Sequence, residues 1–358
     1  METKKVNEIL AIMKGLAISM IVIYHSGCTK LMFNFLSLFH LAIFYFSMGY
    51  FFKNEYLEKP FGFVKRKFCG LYLVFVKWQV AFILFHNLFE RLYLNEDRYS
   101  LYEMVRRCFA VCKLVRSEVL LLPFWYIISA IMCVMLYFVM RYIVYKLKIK
   151  RDIAVLALMI VCSFLFGVFL IERGISTGYY IESSFIIVYI LFVGDIWRRY
   201  ETYINENGYM AFLCLFILLV FSSIRGFNFM HQDFWSYWQF LIVTPLGVYL
   251  IYYMAKMIKK NSVLKTIFVM LGTNSLYILA LHNTVFKLVS FLKILVYDDL
   301  CMNKYIDYTI VYEKNNFLWC CAYTIVGIAV PLVIMYFVEG IKRKSLRLIN
   351  NLFSLHKK

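Results

Sequence analysis

Proline and glycine are scarce in this chain of 358 residues. Four prolines and fifteen glycines leave little sequence for flexible linkers, so a single domain over 1–358 is expected rather than several modules. Charge is scarce too: 17% of residues are charged and 63% are hydrophobic, a balance that no soluble core of this size requires. The ten cysteines include no Cys-x-x-Cys pair, which excludes the familiar zinc and dithiol frameworks, and most of them fall in apolar runs as small hydrophobic residues. Only Cys108 and Cys112, one helical turn apart, have a spacing that suits a metal or a disulfide, and no second ligand pair accompanies them. No internal repeat is evident, which weighs against a transporter built from repeated halves. The basic start and first apolar run resemble a signal peptide. Lys14 interrupts that run and no small-x-small cleavage site follows, so it reads as a first membrane span.

What the chain has in abundance is long apolar runs, and the whole sequence holds 35 Phe and 29 Tyr. At about 20 residues per crossing, they give spans at 9–27, 33–52, 68–88, 119–140, 153–171, 179–197, 209–224, 238–257, 270–292 and 317–338. The expected fold is an all-α polytopic membrane bundle of about ten transmembrane helices. Alternate connections differ in basic content: one set, with both termini, holds 24 Lys and Arg, and the other holds 11. Positive residues mark the cytoplasmic side, so both termini are expected inside. The formal charge of +18 then reflects topology and contact with the anionic lipid bilayer, and no nucleic-acid partner is implied.

Against this apolar background a few ionisable residues stand out. Lys14 and His25 lie in the first span with ten residues between them. Eleven helical steps return to within about 20° of the starting face and advance about 16 Å. One helix face therefore carries a cation near the cytoplasmic mouth and an imidazole toward the outside. Ionisable groups in hydrocarbon usually face a bundle interior or a wet cavity. The plain alternative is a snorkelling lysine and an interfacial histidine. His40 falls in the outer half of the second span and His282 in the ninth, where Ser275 resembles a helix start and shares its face. Three histidines on three spans make a convergent cluster, although one alone would more often be a hydrogen-bonded packing residue. The segment from Arg225 to Trp238, with Trp235 near its end, interleaves aromatics and polar groups as a sugar site would; an aromatic belt is the competing reading. Residues 89–118 are expected to form a surface helix or cap, and Asp195 to sit at the membrane interface.

At these residues the chain resembles the acyltransferase-3 superfamily, especially its fucose 4-O-acetylase-like branch. The matching pieces come in order: Lys14 and His25; His40 through Phe44, Tyr45, Gly49, Tyr50, Phe51 and Phe52; Phe63-Val64-Lys65-Arg66-Lys67-Phe68; Phe124-Trp125-Tyr126; and Gly272, Ser275 and His282. There are departures. Lys14 stands where many relatives have Arg, Ala11 where they have Asp, and Met48 where a Ser commonly precedes the glycine. Lys keeps the charge without the bidentate fork of Arg, so phosphate recognition at that position is less directional.

The resemblance implies O-acyl transfer, from cytoplasmic acyl-coenzyme A (acetyl-coenzyme A first among the donors) to a hydroxyl of a surface polysaccharide or lipid-linked glycan. It also implies residence in a bacterial cytoplasmic membrane. Under that reading Lys14, Lys65, Arg66 and Lys67 hold the donor's phosphates as point charges. His25 is the general base, with His40 and His282 beside it, because a sugar hydroxyl needs activation at neutral pH. Trp125, Ser275, Arg225 and Trp235 are the acceptor-binding candidates, and no metal is expected. A direct transfer and a covalent relay through Ser, Tyr or Cys both fit. A lipid-linked glycan flippase and a glycan polymerase are the alternatives from other classes.

Overall fold

The computed structural model of the chain describes residues 7–95, 97–149, 151–228, 230, 233, 236–297, 311 and 316–355, with side chains considered up to 340. The described residues are helical apart from turns and one isolated antiparallel bridge, Asn228–Asp233. The helices are α1 (Glu8–His25), α2 (Lys30–Ser37), α3 (Ala42–Tyr50), α4 (Glu55–Glu58), α5 (Pro60–Arg91), α6 (Leu101–Cys112), α7 (Trp125–Lys146), α8 (Asp152–Glu172), α9 (Ile181–Tyr200), α10 (Gly208–Ile224), α11 (Tyr237–Lys259), α12 (Ser262–Thr273), α13 (Ser275–Val296) and α14 (Phe317–Leu355). A 3-10 turn, Val119–Phe124, leads into α7. Among the described residues, eight segments are long and apolar enough to cross a membrane, which makes this a polytopic helical membrane protein.

Every expected span contains a helix, but three differ from a plain apolar rod. The second is broken: α2 and α3 are separated by a turn at 38–41 that contains His40. The ninth starts later than expected, because α12 ends at Thr273 and α13 begins at Ser275 after a break at Asn274. The break is invisible to hydropathy, since both halves are apolar. The sixth, α9, is not among the eight because of the charges it carries, Glu182, Asp195, Arg198 and Arg199, of which Glu182 and Asp195 are buried with Ser183 and Ser184. Its polar groups are spent inside the bundle.

Two close glycine contacts set the packing. A Cβ on Gly272 would lie 1.8 Å from the Ala11 carbonyl oxygen, and one on Gly15 would lie 2.2 Å from that of Phe268. Lys265 also reaches Glu8 at 3.5 Å, so α1 and α12 run side by side in the same direction from a common end. Gly49 against Leu191, and Gly194 against Phe46 and Tyr50, repeat the arrangement between α3 and α9. Helices can approach this closely only where neither backbone carries a side chain at the contact.

Asp195, expected at the membrane interface, lies near one end of the bundle but inside the protein. Its side chain is fully buried, and Tyr137 donates to it at 2.7 Å. Arg199 stands at 3.3 Å, Arg198 at 3.5 Å and Arg141 at 3.6 Å. Arg141 and Arg199 also face Asp152, at 3.6 and 3.1 Å, and Arg141 donates to Asn54 at 2.8 Å. This network ties α7, α8 and α9 together at the end of the bundle where Asn7 and Glu8 lie; the link is Tyr50, which receives a hydrogen bond from Asn7 and donates to Glu201. As expected, the 89–118 connection contains a surface helix, α6, on which Cys108 and Cys112 are free thiols.

Candidate active site

At the opposite end from Asp195, a cavity of about 270 Å³ opens between the C-terminus of α1, the 38–41 turn, the start of α7 and the connection after α10. His25 and His40 line it, with Tyr24, Trp125, Tyr126 and Asn228. His282 lies one layer behind. It is fully buried, its ring centroid is 5.5 Å from that of His25, and Leu279 of the same helix reaches the cavity wall.

Local structure explains why these rings converge. From the Gly15–Gly272 contact, α1 advances ten residues to His25, and the α12–α13 chain advances ten residues to His282. Parallel neighbours in step therefore deliver two histidines to one level. His40 arrives by a different route: the turn after α2 aims its ring at Tyr24, which stacks on it at 4.9 Å and on Phe33 at 4.2 Å.

Hydrogen bonds then fix the rings. Nδ1 of His282 lies 2.9 Å from the Ile278 carbonyl oxygen, and Nδ1 of His40 faces that of Leu36. A carbonyl only accepts, so each Nδ1 donates and each Nε2 is the basic nitrogen of a neutral ring. Nε2 of His282 is buried with no hydrogen-bond partner among the described residues, and so is the hydroxyl of Tyr126. An unpaired buried acceptor is costly, and such atoms concentrate where a ligand or a proton is handled. His25 is half-buried at the cavity surface.

The remaining sequence candidates divide. Trp125 is 7% exposed and forms part of the cavity wall, its ring 5.5 Å from Tyr180. Ser275 begins α13 but does not line the cavity. Arg225 is exposed and paired with Asp233, while its neighbours Phe227 and Asn228 reach the cavity. Gly226 allows this, because a Cβ there would meet the Ser37 hydroxyl that receives the Phe227 N–H at 3.1 Å. Trp235 lies outside the described residues. Lys14 is half-buried on α1, and no ion pair engages it among the described residues. Lys65 and Arg66 are exposed near the start of α5, and Lys67 lies 5.9 Å over the Tyr56 ring. That helix packs on α4, α6 and α7 rather than on α1, so the structure does not bring these cations together with Lys14 by direct helix packing.

Sequence reasoning missed Tyr24, Tyr126 and Asn228 as cavity residues. Tyr24 adjoins His25, Tyr126 follows Trp125, and Asn228 falls in the aromatic segment, so a signal existed for each. Among the described residues no group of three or more His, Cys, Asp or Glu is placed to hold a metal ion.

A polytopic helical membrane protein with histidines gathered at one end of its bundle defines the class. The model of the acyltransferase-3 family, described as an acyltransferase domain, matches residues 7–336, nearly the whole chain. The chain belongs to that family and is a membrane acyltransferase. Searches of curated proteins and of solved structures return no match.

Proposed function

We propose that the chain is an O-acyltransferase that moves an acyl group, acetyl foremost, from cytoplasmic acyl-coenzyme A to a hydroxyl of a cell-surface polysaccharide or lipid-linked glycan. The fucose 4-O-acetylase-like branch is the proposed affiliation, and a bacterial cytoplasmic membrane the proposed location. Ten spans with both termini inside put the cavity at the outer face and Lys14 toward the cytoplasmic mouth. The observation that carries the reading is that His25 and His40 line one cavity and His282, from a distant part of the chain, packs behind His25.

In this reading the donor enters from the cytoplasmic side, with Lys14 and the Lys65–Lys67 cluster attracting its phosphates. The acceptor hydroxyl lies against His25, which takes its proton as the oxygen attacks the thioester carbonyl. Once His25 carries the proton, the unpaired Nε2 of His282 behind it is the acceptor that can take a hydrogen bond from the His25 ring and stabilise the charge. The sulfur leaves as the thiol of coenzyme A, and the proton held by His25 returns to it. Trp125, Tyr24 and Asn228 give the acceptor an aromatic and polar wall, as carbohydrate binding requires.

The test is His25→Gln, which preserves bulk and some hydrogen bonding but cannot relay a proton. Base-labile acyl groups on surface polysaccharide, read by mass spectrometry, should fall on the order of a hundredfold or more at an unchanged membrane level. Full acylation by this variant would remove the proton-transfer role. His40→Ala and His282→Ala should lose part of the activity, and His356→Ala in the tail none.

A further inference from the structure

A third buried histidine stands apart from the cavity, near the Arg91 end of α5. His86 is 5% exposed and Glu118 is 4% exposed. Nδ1 of His86 lies 3.0 Å from Oε2 of Glu118, and Nε2 lies 2.8 Å from the carbonyl oxygen of Asp97. Both oxygens accept, so each contact is a hydrogen bond when the ring nitrogen that faces it carries the hydrogen. The Asn95 amide lies 3.1 Å from Nδ1. Tyr99 stacks flat on the imidazole at 3.3 Å, and the Arg107 guanidinium covers the same tyrosine at 4.1 Å. Polar pairs buried this thoroughly are seldom needed to hold a surface loop in place, because an apolar contact does so at lower desolvation cost.

What the pair holds is the entry to the cavity wall. Glu118 immediately precedes the turn Val119–Phe124, and its carbonyl receives the Leu121 N–H at 3.2 Å. The preceding Ser117 N–H is held by Gln79 of α5 at 3.1 Å. Along the turn, Arg116 grips the Leu122 carbonyl at 3.0 Å, and Asn283, next to His282, donates to the Leu120 carbonyl at 3.3 Å. Near the end of the turn Pro123 lines the cavity wall, two residues before Trp125, which is also in the wall. One short segment thus connects the His86–Glu118 pair to an aromatic wall residue on one side and to the helix of His282 on the other.

We propose that His86 and Glu118 are positioning residues that fix the acceptor wall of the cavity through this turn. That the wall receives an acceptor rests on the acyl-transfer reading; that the pair fixes the wall does not. Removing the pair should misplace Trp125 relative to the histidines and leave the donor route through α1 untouched.

The experiment uses the full chain in lipid nanodiscs, with acetyl-coenzyme A and an alkyl glucoside as the two probes. Glu118→Gln should raise the glucoside KM about tenfold, the scale of losing a hydrogen bond to a charged group, with donor KM within about twofold. Amide hydrogen exchange should quicken across residues 119–124 and stay unchanged across α8. The double variant His86→Gln with Glu118→Gln, in which two amides can pair, should recover part of both losses. Unchanged exchange across 119–124 would overturn the proposal, and so would an equal loss in donor and acceptor parameters. A wild-type chain that turns over neither probe would count against the acyl-transfer reading, and the exchange measurement would then judge the positioning alone.

Discussion

Replacing Gly272 with alanine is the sharpest perturbation of the site that leaves every proposed functional side chain in place. On helix propensity alone the change favours the protein, since Ala is better than Gly in a helix interior by about 1 kcal/mol. The packing reverses the sign. The new Cβ would fall 1.8 Å from the Ala11 carbonyl oxygen, 2.8 Å from the Ala11 carbonyl carbon and 2.9 Å from the Gly15 nitrogen, all of them backbone. Ordinary contact begins at 3.4 Å, so α1 and α12 must part by about 1.6 Å at that point. Overpacking of this kind costs about 1–3 kcal/mol, enough to exceed the propensity gain. Ten residues further on, His25 and His282 are only 5.5 Å apart between ring centroids, so the displacement reaches the site. A misplacement of about 1 Å can cost on the order of a hundredfold in rate. Surface-glycan acylation should therefore fall by about that factor at near-normal membrane levels, because the other helix contacts are unaltered. Gly70→Ala is the control, since nothing lies within 4 Å of a Cβ there. Full activity in Gly272→Ala would refute the argument that the glycine contact sets the spacing of the histidines.

Three further outcomes are expected. Asp195→Asn should destabilise the protein by less than the cost of about 3–5 kcal/mol for a fully unpaired buried charge, because Arg141 and Arg199 keep Asp152, and should show as a lowered membrane level; a normal level would mean that the Asp195 carboxylate is dispensable. Lys14→Ala should weaken acyl-coenzyme A binding more than Lys14→Arg does, because the charge is what phosphate recognises, and isothermal titration that finds the two alike would remove Lys14 from the donor route. Reporter fusions at Lys148 and Lys260 should read cytoplasmic and those at Asp97 and Asp233 external; a reversed signal at either lysine would invert the bundle.

The spans were legible in the sequence because length and apolarity are local properties. The first was expected at 9–27 and is a helix from Glu8 to His25, and the fifth and eighth agree to within about two residues. Hydropathy alone averages over the Asn274 break, since Gly272-Thr273-Asn274-Ser275 sits inside an apolar run, but the residue types there gave Ser275 as a helix start, and α13 begins at Ser275. What the sequence did not show of Asp195 is its burial: a carboxylate beside Trp197 and two arginines gives no sign of Arg141, brought to it from 54 positions earlier in the chain. For the site, the sequence singled out His25, His40, His282 and Trp125, and the structure places His25, His40 and Trp125 in the wall of one cavity with His282 behind His25. The sequence could not say that His282 stands behind His25 rather than beside it, nor that Tyr24 stacks on His40. Those relations depend on how α1 runs against α12 and α13, which no single stretch of sequence encodes.

The paired march of α1 and α12–α13 from glycine to histidine makes the two chains a matched set of rulers. Substitutions along them change texture, but a change of length changes phase. Deleting one residue between Gly15 and His25 would turn the imidazole by about 100° and draw it back about 1.5 Å, out of the cavity and away from His282. The same deletion in both rulers would restore the angle between the two histidines while moving both away from Trp125 and His40. This stretch of the enzyme is therefore expected to diverge freely in composition while holding its residue count fixed, and a compensating pair of deletions would rescue the histidine pair without rescuing transfer.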